Sequence, residues 1–167
     1  LACSLYIDDE RPTEFYEFRE FDLLELGKNI TDMQFDPKQA YLYLADYGNN
    51  QILRIDVTGE MKVDKTLRVG SHPIALDITP NEQFLVVGLN GEAKLEMVEL
   101  STFTLSKRVS FTANEVSFVA CGRNSEVYVS SLVDQYLTTV STADDREVQH
   151  NIRTGAVAVD HEEGSLF

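Results

Sequence analysis

Short apolar runs alternate with short polar segments along the chain. The run Leu42–Ala45 is apolar at four successive positions, and the run Ile52–Val57 mixes apolar and polar side chains. The residues between them include Gly48, Asn49 and Asn50, and Gly and Asn tolerate the positive φ angles that tight turns require. This pattern predicts an antiparallel hairpin.

The hairpin recurs at a spacing of 43 residues. Gly27 precedes KNITDMQFDP and Gly70 precedes SHPIALDITP, and the apolar residues Phe35, Ile78 and Cys121 follow at the same spacing. The hairpin itself reappears as LVVGLNGEAKLEMVEL and as VYVSSLVDQYLTTVST. Repeats of 40–50 residues made of short strands are typical of a β-propeller, in which each repeat forms one four-stranded blade.

Each complete repeat contains four predicted strands separated by turn residues. They are Thr31–Phe35, Ala40–Ala45, Gln51–Val57 and Lys65–Val69, then Ile74–Ile78, Phe84–Gly88, Lys94–Leu100 and Ser106–Phe111, then Val116–Ala120, Glu126–Ser130, Tyr136–Ser141 and Glu147–Ile152. No long apolar stripe with a period of 3.6 residues is present, so the chain is predicted to be all-β.

The second strand of each repeat is apolar at successive positions, as in YLYLA, FLVV and VYV. Such a run indicates that both faces of the strand are covered, and sheets stacked as neighbouring blades provide that cover. The fourth strands are more polar, as expected for the outer rim. A β-sandwich with an accidental repeat remains an alternative, because regularly spaced short strands also fit that fold.

We expect a single β-propeller domain over residues 1–167. The predicted repeats are 1–27 (partial), 28–70, 71–112, 113–154 and 155–167 (partial), or about four blades in total. The repeat register aligns Leu1 with Leu44, so the sequence begins and ends within a strand. Two interpretations follow: the terminal pieces complete one blade of a four-bladed ring, or the chain is part of a propeller with six to eight blades. Exposed strand edges promote aggregation, which favours the second interpretation.

Two segments carry a resemblance to known repeat families. LYLADYGNNQILRIDVTGE at Leu42–Glu60 resembles the blades of NHL and YWTD propellers, and VGSHPIALDITPNEQFLVVG at Val69–Gly88 is similar to the YVTN family. The third repeat departs from the YVTN pattern at Asn114 and Glu115. The resemblance implies an extracytoplasmic propeller (cell-surface, secreted or periplasmic) that acts as a binding or structural module. Lactonase-like relatives also exist, but none of their active-site motifs is recognisable here.

The net charge of the chain limits the classes of molecule that it is expected to bind. The chain has 28 acidic and 14 basic residues and a net charge of −14, and an acidic surface repels nucleic acid. No apolar run is long enough for a membrane-spanning helix. The two cysteines, Cys3 and Cys121, and the three histidines lack the spacing of a zinc site. Cys121 occupies an apolar position of the repeat and is predicted to be a buried free thiol.

Propeller ligands usually bind at the mouth of the central channel. The loops predicted to lie there are rich in Asn and acidic residues, a composition that suits Ca²⁺, a glycan or a basic peptide. The same residue types are also ordinary in solvated turns. The candidate ligand-binding residues are Asn29, His72 and Asn114 from one set of loops and Asp8, Asp9, Asn49, Asn50, Asn90 and Asp134 from the other.

The predicted function is therefore a non-enzymatic module that binds a protein or a glycan, without a required cofactor. Further blades of a longer parent chain are a second kind of partner. The alternative is a propeller enzyme of the lactonase-like hydrolase type, which uses a divalent cation in its channel. His72 would be the candidate general base of such an enzyme, but no neighbouring carboxylate in the sequence pairs with it.

Overall fold

A computed structural model of the chain describes residues 26, 29–38, 40–112, 115–133, 136–153, 155–159 and 166. The predictions for residues 1–25 lie outside this part of the chain. The described strands are β1 Ile30–Phe35, β2 Tyr41–Asp46, β3 Gln51–Asp56, β4 Lys62–Arg68, β5 Pro73–Ile78, β6 Phe84–Leu89, β7 Lys94–Glu99, β8 Thr104–Ser110, β9 Phe118–Cys121, β10 Glu126–Ser130, β11 Tyr136–Ser141 and β12 Glu147–Arg153. The twelve strands predicted for the three complete repeats are confirmed, with ends that differ by at most three residues.

The strands form three four-stranded antiparallel sheets, each with its strands in sequence order. We call them blade 1 (β1–β4), blade 2 (β5–β8) and blade 3 (β9–β12). A register shift between Arg54 and Ile55 in blade 1 recurs between Met97 and Val98 in blade 2. No helix occurs among the described residues, and none of them forms an apolar helix that could cross a membrane. The all-β prediction is confirmed.

The backbone repeats the spacing seen in the sequence. Three pairs of non-glycine residues with positive φ lie 43 residues apart in the chain. Asn29 and His72 precede the first strands, Asn50 and Ala93 end the turns between second and third strands, and Glu82 and Ser125 lie between first and second strands. Left-handed backbone is uncommon in non-glycine residues. Its recurrence at matching places shows that successive repeats share one chain path.

Neighbouring blades pack face to face through two apolar clusters. The cluster between blades 1 and 2 includes Tyr43, Ile52 and Leu76, and the cluster between blades 2 and 3 includes Val86 and Val127. In β6, Leu85, Val86 and Val87 are all fully buried although their side chains alternate between faces. The middle sheet is therefore covered on both sides, as the continuous apolar runs of the second strands predicted.

The first strands of the blades lie next to one another, with β1 against β5 and β5 against β9. The fourth strands β4, β8 and β12 are mostly exposed, as expected for an outer rim. The inner strands line a cavity of about 290 Å³. This arrangement orders the blades around a central channel.

Two aspartates connect the inner strands of adjacent blades. Asp32 Oδ2 accepts a hydrogen bond from the Leu76 N–H of blade 2 at 2.7 Å. Asp77 Oδ2 accepts one from the Cys121 N–H of blade 3 at 2.6 Å. The second oxygen of each carboxylate accepts from the next residue of its own strand, Met33 or Ile78. Each carboxylate thus satisfies backbone donors from two blades at once.

Candidate functional site

The loops at one end of the blades form a continuous rim, which we call the mouth. It comprises residues 46–50 and 89–93 between second and third strands, residues 70–72 and 115–117 that lead into first strands, and residues 131–133 of blade 3. Five of the predicted site residues lie in or beside it: Asn29, Asn49, Asn50, His72 and Asn90. The other four, Asp8, Asp9, Asn114 and Asp134, lie outside the described residues.

Backbone hydrogen bonds repeat along the mouth. The Tyr47 N–H donates to the Asn29 carbonyl at 3.1 Å, and the Asn90 N–H donates to the His72 carbonyl at 2.9 Å. Asn29 and His72 have positive φ angles of 70° and 58°. Asn adopts this conformation more readily than most residues. These two residues therefore serve first to turn the chain into the innermost strand of a blade.

Two of the predicted ligand-binding asparagines connect blades through their side chains. Asn50 Oδ1 accepts a hydrogen bond from the His72 N–H at 2.8 Å, which links blade 1 to the loop that leads into blade 2. Asn90 Nδ2 donates to the Val116 carbonyl at 2.9 Å, which links blade 2 to blade 3. Hydrogen bonds of this kind satisfy loop backbone groups that no sheet provides for. Both amides help to fix the relative position of neighbouring blades.

Asn49 has a local role at the turn of blade 1. The buried Asp46 carboxylate accepts hydrogen bonds from the Asn49 N–H at 3.2 Å, from Asn49 Nδ2 at 2.7 Å and from Gln51 Nε2 at 2.8 Å. A buried carboxylate needs such donors, because burial without them is costly. Asp46 was not predicted as a site residue, and its place directly before the turn residues was the only sequence signal for it.

His72 lies within a cluster of side chains that includes an aromatic ring. Its imidazole stacks on the Tyr47 ring with centroids 4.4 Å apart and planes inclined by 14°. Ser71 Oγ lies 3.3 Å from His72 Nδ1. The serine and the histidine are adjacent in sequence, and among the described residues no carboxylate forms a hydrogen bond with the imidazole. Tyr47, Ser71 and His72 together form a half-buried polar and aromatic surface at the mouth.

An ion pair lies on the blade 2 side of this cluster. Glu92 Oε2 accepts a hydrogen bond from Lys94 Nζ at 2.8 Å, and Glu92 Oε1 accepts one from the Ser71 N–H at 2.7 Å. These two interactions hold the pKa of the Glu92 carboxyl below its usual range. Glu92 therefore carries a negative charge at neutral pH that is already matched by a cation and a backbone donor.

The mouth also presents two apolar side chains to solvent. Leu132 is 57% exposed and Val133 is 65% exposed. Their backbone is held by hydrogen bonds: the Leu132 N–H donates to Ser117 Oγ at 3.0 Å, and the Val133 N–H donates to Ser131 Oγ at 3.2 Å. The buried serines Ser117 and Ser131 thus position an apolar loop tip on blade 3. No sequence pattern had marked Leu132 or Val133 as a candidate site residue.

In the described part of the chain, no three His, Cys, Asp or Glu side chains come close enough together to hold a metal ion. The carboxylates Asp32 and Asp77 that line the channel accept backbone hydrogen bonds with both oxygens. Cys121 is fully buried and forms no disulfide, as predicted. Burial, together with the nearby Asp77 carboxylate, raises the pKa of its thiol well above the usual value.

The fold resembles several solved structures. The hydrazine synthase of Kuenenia stuttgartiensis has a TM-score of 0.69 and 14% sequence identity, with 87% of this chain and 43% of that chain covered. A structure of U3-55K has a TM-score of 0.67 and 15% identity, and the RRP9 WD40 repeats have a TM-score of 0.66 and 15% identity. Each of the latter two comparisons covers 83% of this chain and 50% of the other.

The chain thus spans about half the length of the chains that it matches. No protein-family model matches the sequence, and no curated protein matches it. At 14–15% identity the likeness concerns the fold. Together with the three stacked four-stranded sheets, the similarity to WD40 repeats shows that the chain adopts a β-propeller fold.

Proposed function

We propose that the chain is a non-enzymatic propeller module that binds a protein partner at its mouth. The observation that carries this proposal is the apolar loop tip of Leu132 and Val133, which is exposed although its backbone is held in place. Exposed apolar side chains gain free energy when a partner covers them. Residues whose backbone is already held by hydrogen bonds, as at Leu132 and Val133, lose little conformational entropy on binding, so more of that gain is retained.

The surrounding mouth supports recognition by a rigid surface. Asn50 and Asn90 are engaged in bonds between blades, and Asp46 is engaged within its turn. These side chains fix the shape of the mouth and leave the exposed Asn29 as a polar group for a partner. The net charge of −14 favours a partner whose contact surface carries Lys or Arg around an apolar centre.

Three finer points complete the proposal. The YVTN-like and NHL-like motifs support assignment to those repeat families and a location outside the cytoplasm. A protein partner is favoured over a glycan because the exposed groups at the loop tip are aliphatic. No cation is part of the proposed mechanism, since the charged groups described at the mouth are satisfied by protein donors.

The test compares capture of partners by three forms of the chain. Wild type, the double variant Leu132→Ser/Val133→Ser, and the control Met61→Ser/Leu105→Ser are immobilised and exposed to extracts from the native source. The control removes two exposed apolar side chains that lie away from the mouth. A partner retained by wild type and by the control but lost by the mouth variant supports the proposal. Capture that is unaffected by the mouth variant contradicts it.

A screen of ester and lactone substrates tests the enzymatic alternative. Turnover that depends on a divalent cation and is lost on chelation would replace the binding proposal with the hydrolase. We expect no turnover above that of buffer.

A further inference from the structure

The groove between blades 1 and 2, at the end opposite the mouth, is filled by the protein's own side chains. Phe103, from the turn between β7 and β8 of blade 2, is 4% exposed and stacks on Tyr43 of blade 1, with ring centroids 6.0 Å apart. The Arg54 guanidinium lies 5.1 Å from the Phe103 ring and 4.4 Å from the Tyr41 ring. Asp64 accepts a hydrogen bond from Arg54 Nε at 2.7 Å.

Strand pairing identifies the equivalent residues on blade 2. Tyr43 pairs with Arg54 in blade 1, and Val86 pairs with Met97 in blade 2. The aromatic ring and the guanidinium of the first groove are thus replaced by a valine and a methionine. Asp64 is the residue left without a pairing partner at the register shift in β4, and Ser106 takes the same place in β8. Smaller side chains therefore line the wall of the second groove.

The residue that fills the first groove is also replaced. The turn between β11 and β12 of blade 3 matches the turn that carries Phe103, and Asp145 has a φ angle of 59° where Phe103 has 57°. Asp145 reaches across to blade 2, as Phe103 reaches across to blade 1, and its carboxylate lies 2.6 Å from Lys107 Nζ. Lys107 also donates to the Thr142 carbonyl at 2.7 Å. In the part of blade 3 that the structure describes, an ion pair lies at the edge of the groove and no ring lines it.

The result is an open groove of about 660 Å³ between blades 2 and 3. Its apolar lining includes Pro80, Phe84, Met97 and Val127. Met97 is 7% exposed and Phe84 is half-buried. A pocket of this size and lining suits an apolar ligand group, and a methionine thioether next to an aromatic residue favours contact with a further ring.

We propose that this groove binds an aromatic side chain, Phe or Tyr, presented by a segment of a partner protein. An aromatic occupant is favoured because the matching groove between blades 1 and 2 contains an aromatic side chain, Phe103, from the neighbouring turn. A partner's ring would take the position over Met97 that Phe103 takes over Arg54. The groove lies at the end of the blades opposite the mouth, so this interaction is separate from the proposed function and does not depend on it.

The probe for this site is N-acetyl-L-phenylalanine amide, titrated into the ¹⁵N-labelled 167-residue chain and followed by amide chemical shifts. We expect saturable shifts confined to residues 79, 81, 84, 97 and 122–127, with a dissociation constant on the order of 1 mM, as is usual for a ligand of this size. N-acetyl-L-alanine amide, which lacks the ring, should bind about tenfold more weakly or not at all. Absence of saturable shifts, or shifts centred elsewhere, overturns the proposal.

Variants that fill the groove give the second arm of the test. Asp145→Phe restores the ring in cis and should weaken probe binding by about tenfold or more, because the probe must compete with a tethered side chain. Ala143→Phe adds the same ring at an exposed position of the same turn outside the groove lining and should bind the probe as wild type does. If Asp145→Phe does not fold, Ser106→Phe adds a ring at an exposed position of the groove lining without touching the turn, and it should weaken probe binding in the same way. A folded filling variant with wild-type affinity refutes the proposal.

Discussion

Gly88 lies where blades 2 and 3 approach each other closely. Replacing it with alanine tests whether the space between the two blades can hold an added methyl group. An added Cβ would lie 2.6 Å from Val116 Cγ1 and 3.0 Å from Val119 Cγ1. Carbon atoms in favourable contact are about 3.5–4.0 Å apart, so the two valines must move by about 1 Å. Valine side chains are restricted at χ1 and cannot rotate freely to make room. The substitution should therefore force the blades apart.

The expected cost combines two opposing effects. Adding a methyl group to a filled core costs about 1–3 kcal/mol. Replacing glycine with alanine in a compatible backbone recovers about 0.4–1 kcal/mol by restricting the unfolded chain. Gly88→Ala should therefore lower the free energy of unfolding by about 1–2 kcal/mol, measured by urea denaturation. For a chain of this size the melting temperature should fall by about 5 °C.

Two further variants make the result specific to the contact between blades. Gly59→Ala is the matched control, because an added Cβ at Gly59 has no atom within 4 Å, and it should leave stability unchanged or slightly raised. Val116→Ala in the Gly88→Ala background removes the clashing methyl groups. The double variant should lose about 1 kcal/mol less than the sum of the two single losses. Additive losses, or a Gly88→Ala chain as stable as wild type, would refute the reasoning that places Gly88 against blade 3.

Four other outcomes follow from described contacts. Asp77→Ala leaves the buried Cys121 N–H without its acceptor and should cost about 1–3 kcal/mol by urea denaturation; an unchanged midpoint would contradict the link between blades. In a Cys3→Ser chain, Cys121 should resist alkylation at pH 8, because burial raises the pKa of its thiol; labelling at the rate of a free thiol would contradict this. Burial also raises the pKa of Tyr43 to about 12 from 10.0. In both cases the unfolded chain loses the proton at a lower pH than the folded chain does. The stability that these two groups contribute should therefore be constant below about pH 8.5 and should be lost as the pH rises towards 12, and a rise in stability above pH 8.5 would contradict this sign. Millimolar Ca²⁺ should leave the melting temperature unchanged, and a clear increase would indicate a cation site.

The fold could be predicted from the sequence, because apolar residues recur at matching positions of each repeat. The alignment of Phe35, Ile78 and Cys121 at 43-residue steps located the strands to within three residues. The fully apolar FLVV correctly predicted a strand that is covered on both faces. The apolar period and the turn residues depend on local backbone conformation. Stacking of the blades does not alter this pattern, so the strands can be recognised from the sequence.

The site was less predictable, because side-chain partners depend on contacts between repeats. Asn50 and Asn90 were selected as possible ligands, and their amides bond to the loops that lead into the next blade. Nothing in a turn sequence distinguishes an amide that faces solvent from one that faces a neighbouring blade. The Asp32 and Asp77 links were missed for the same reason, although each aspartate precedes the residue that donates to it by 44 positions.

The groove between blades 2 and 3 could not be predicted from the sequence, because the spacing between matching residues changes there by one. Phe103 and Asp145 are equivalent in the structure but are 42 residues apart, so a strict 43-residue alignment does not pair them. The shift arises between β9 and β10, where Cys121 pairs with Val127, six residues later. At the matching place in blade 2, Ile78 pairs with Leu85, seven residues later. A difference of one residue in a turn is invisible to a repeat search but decides which side chain faces the neighbouring blade.

The central claim is that three sheets stack as separate blades around inner strands. The most direct measurement is a set of nuclear Overhauser contacts on the labelled 167-residue chain. The account predicts contacts from Gly88 Hα to the methyl groups of Val116 and Val119, together with pairing of strands in sequence order within each sheet and none between β4 and β5 or between β8 and β9. Contacts that join β4 to β5 or β8 to β9 in one continuous sheet, with none between Gly88 and the two valines, would contradict it.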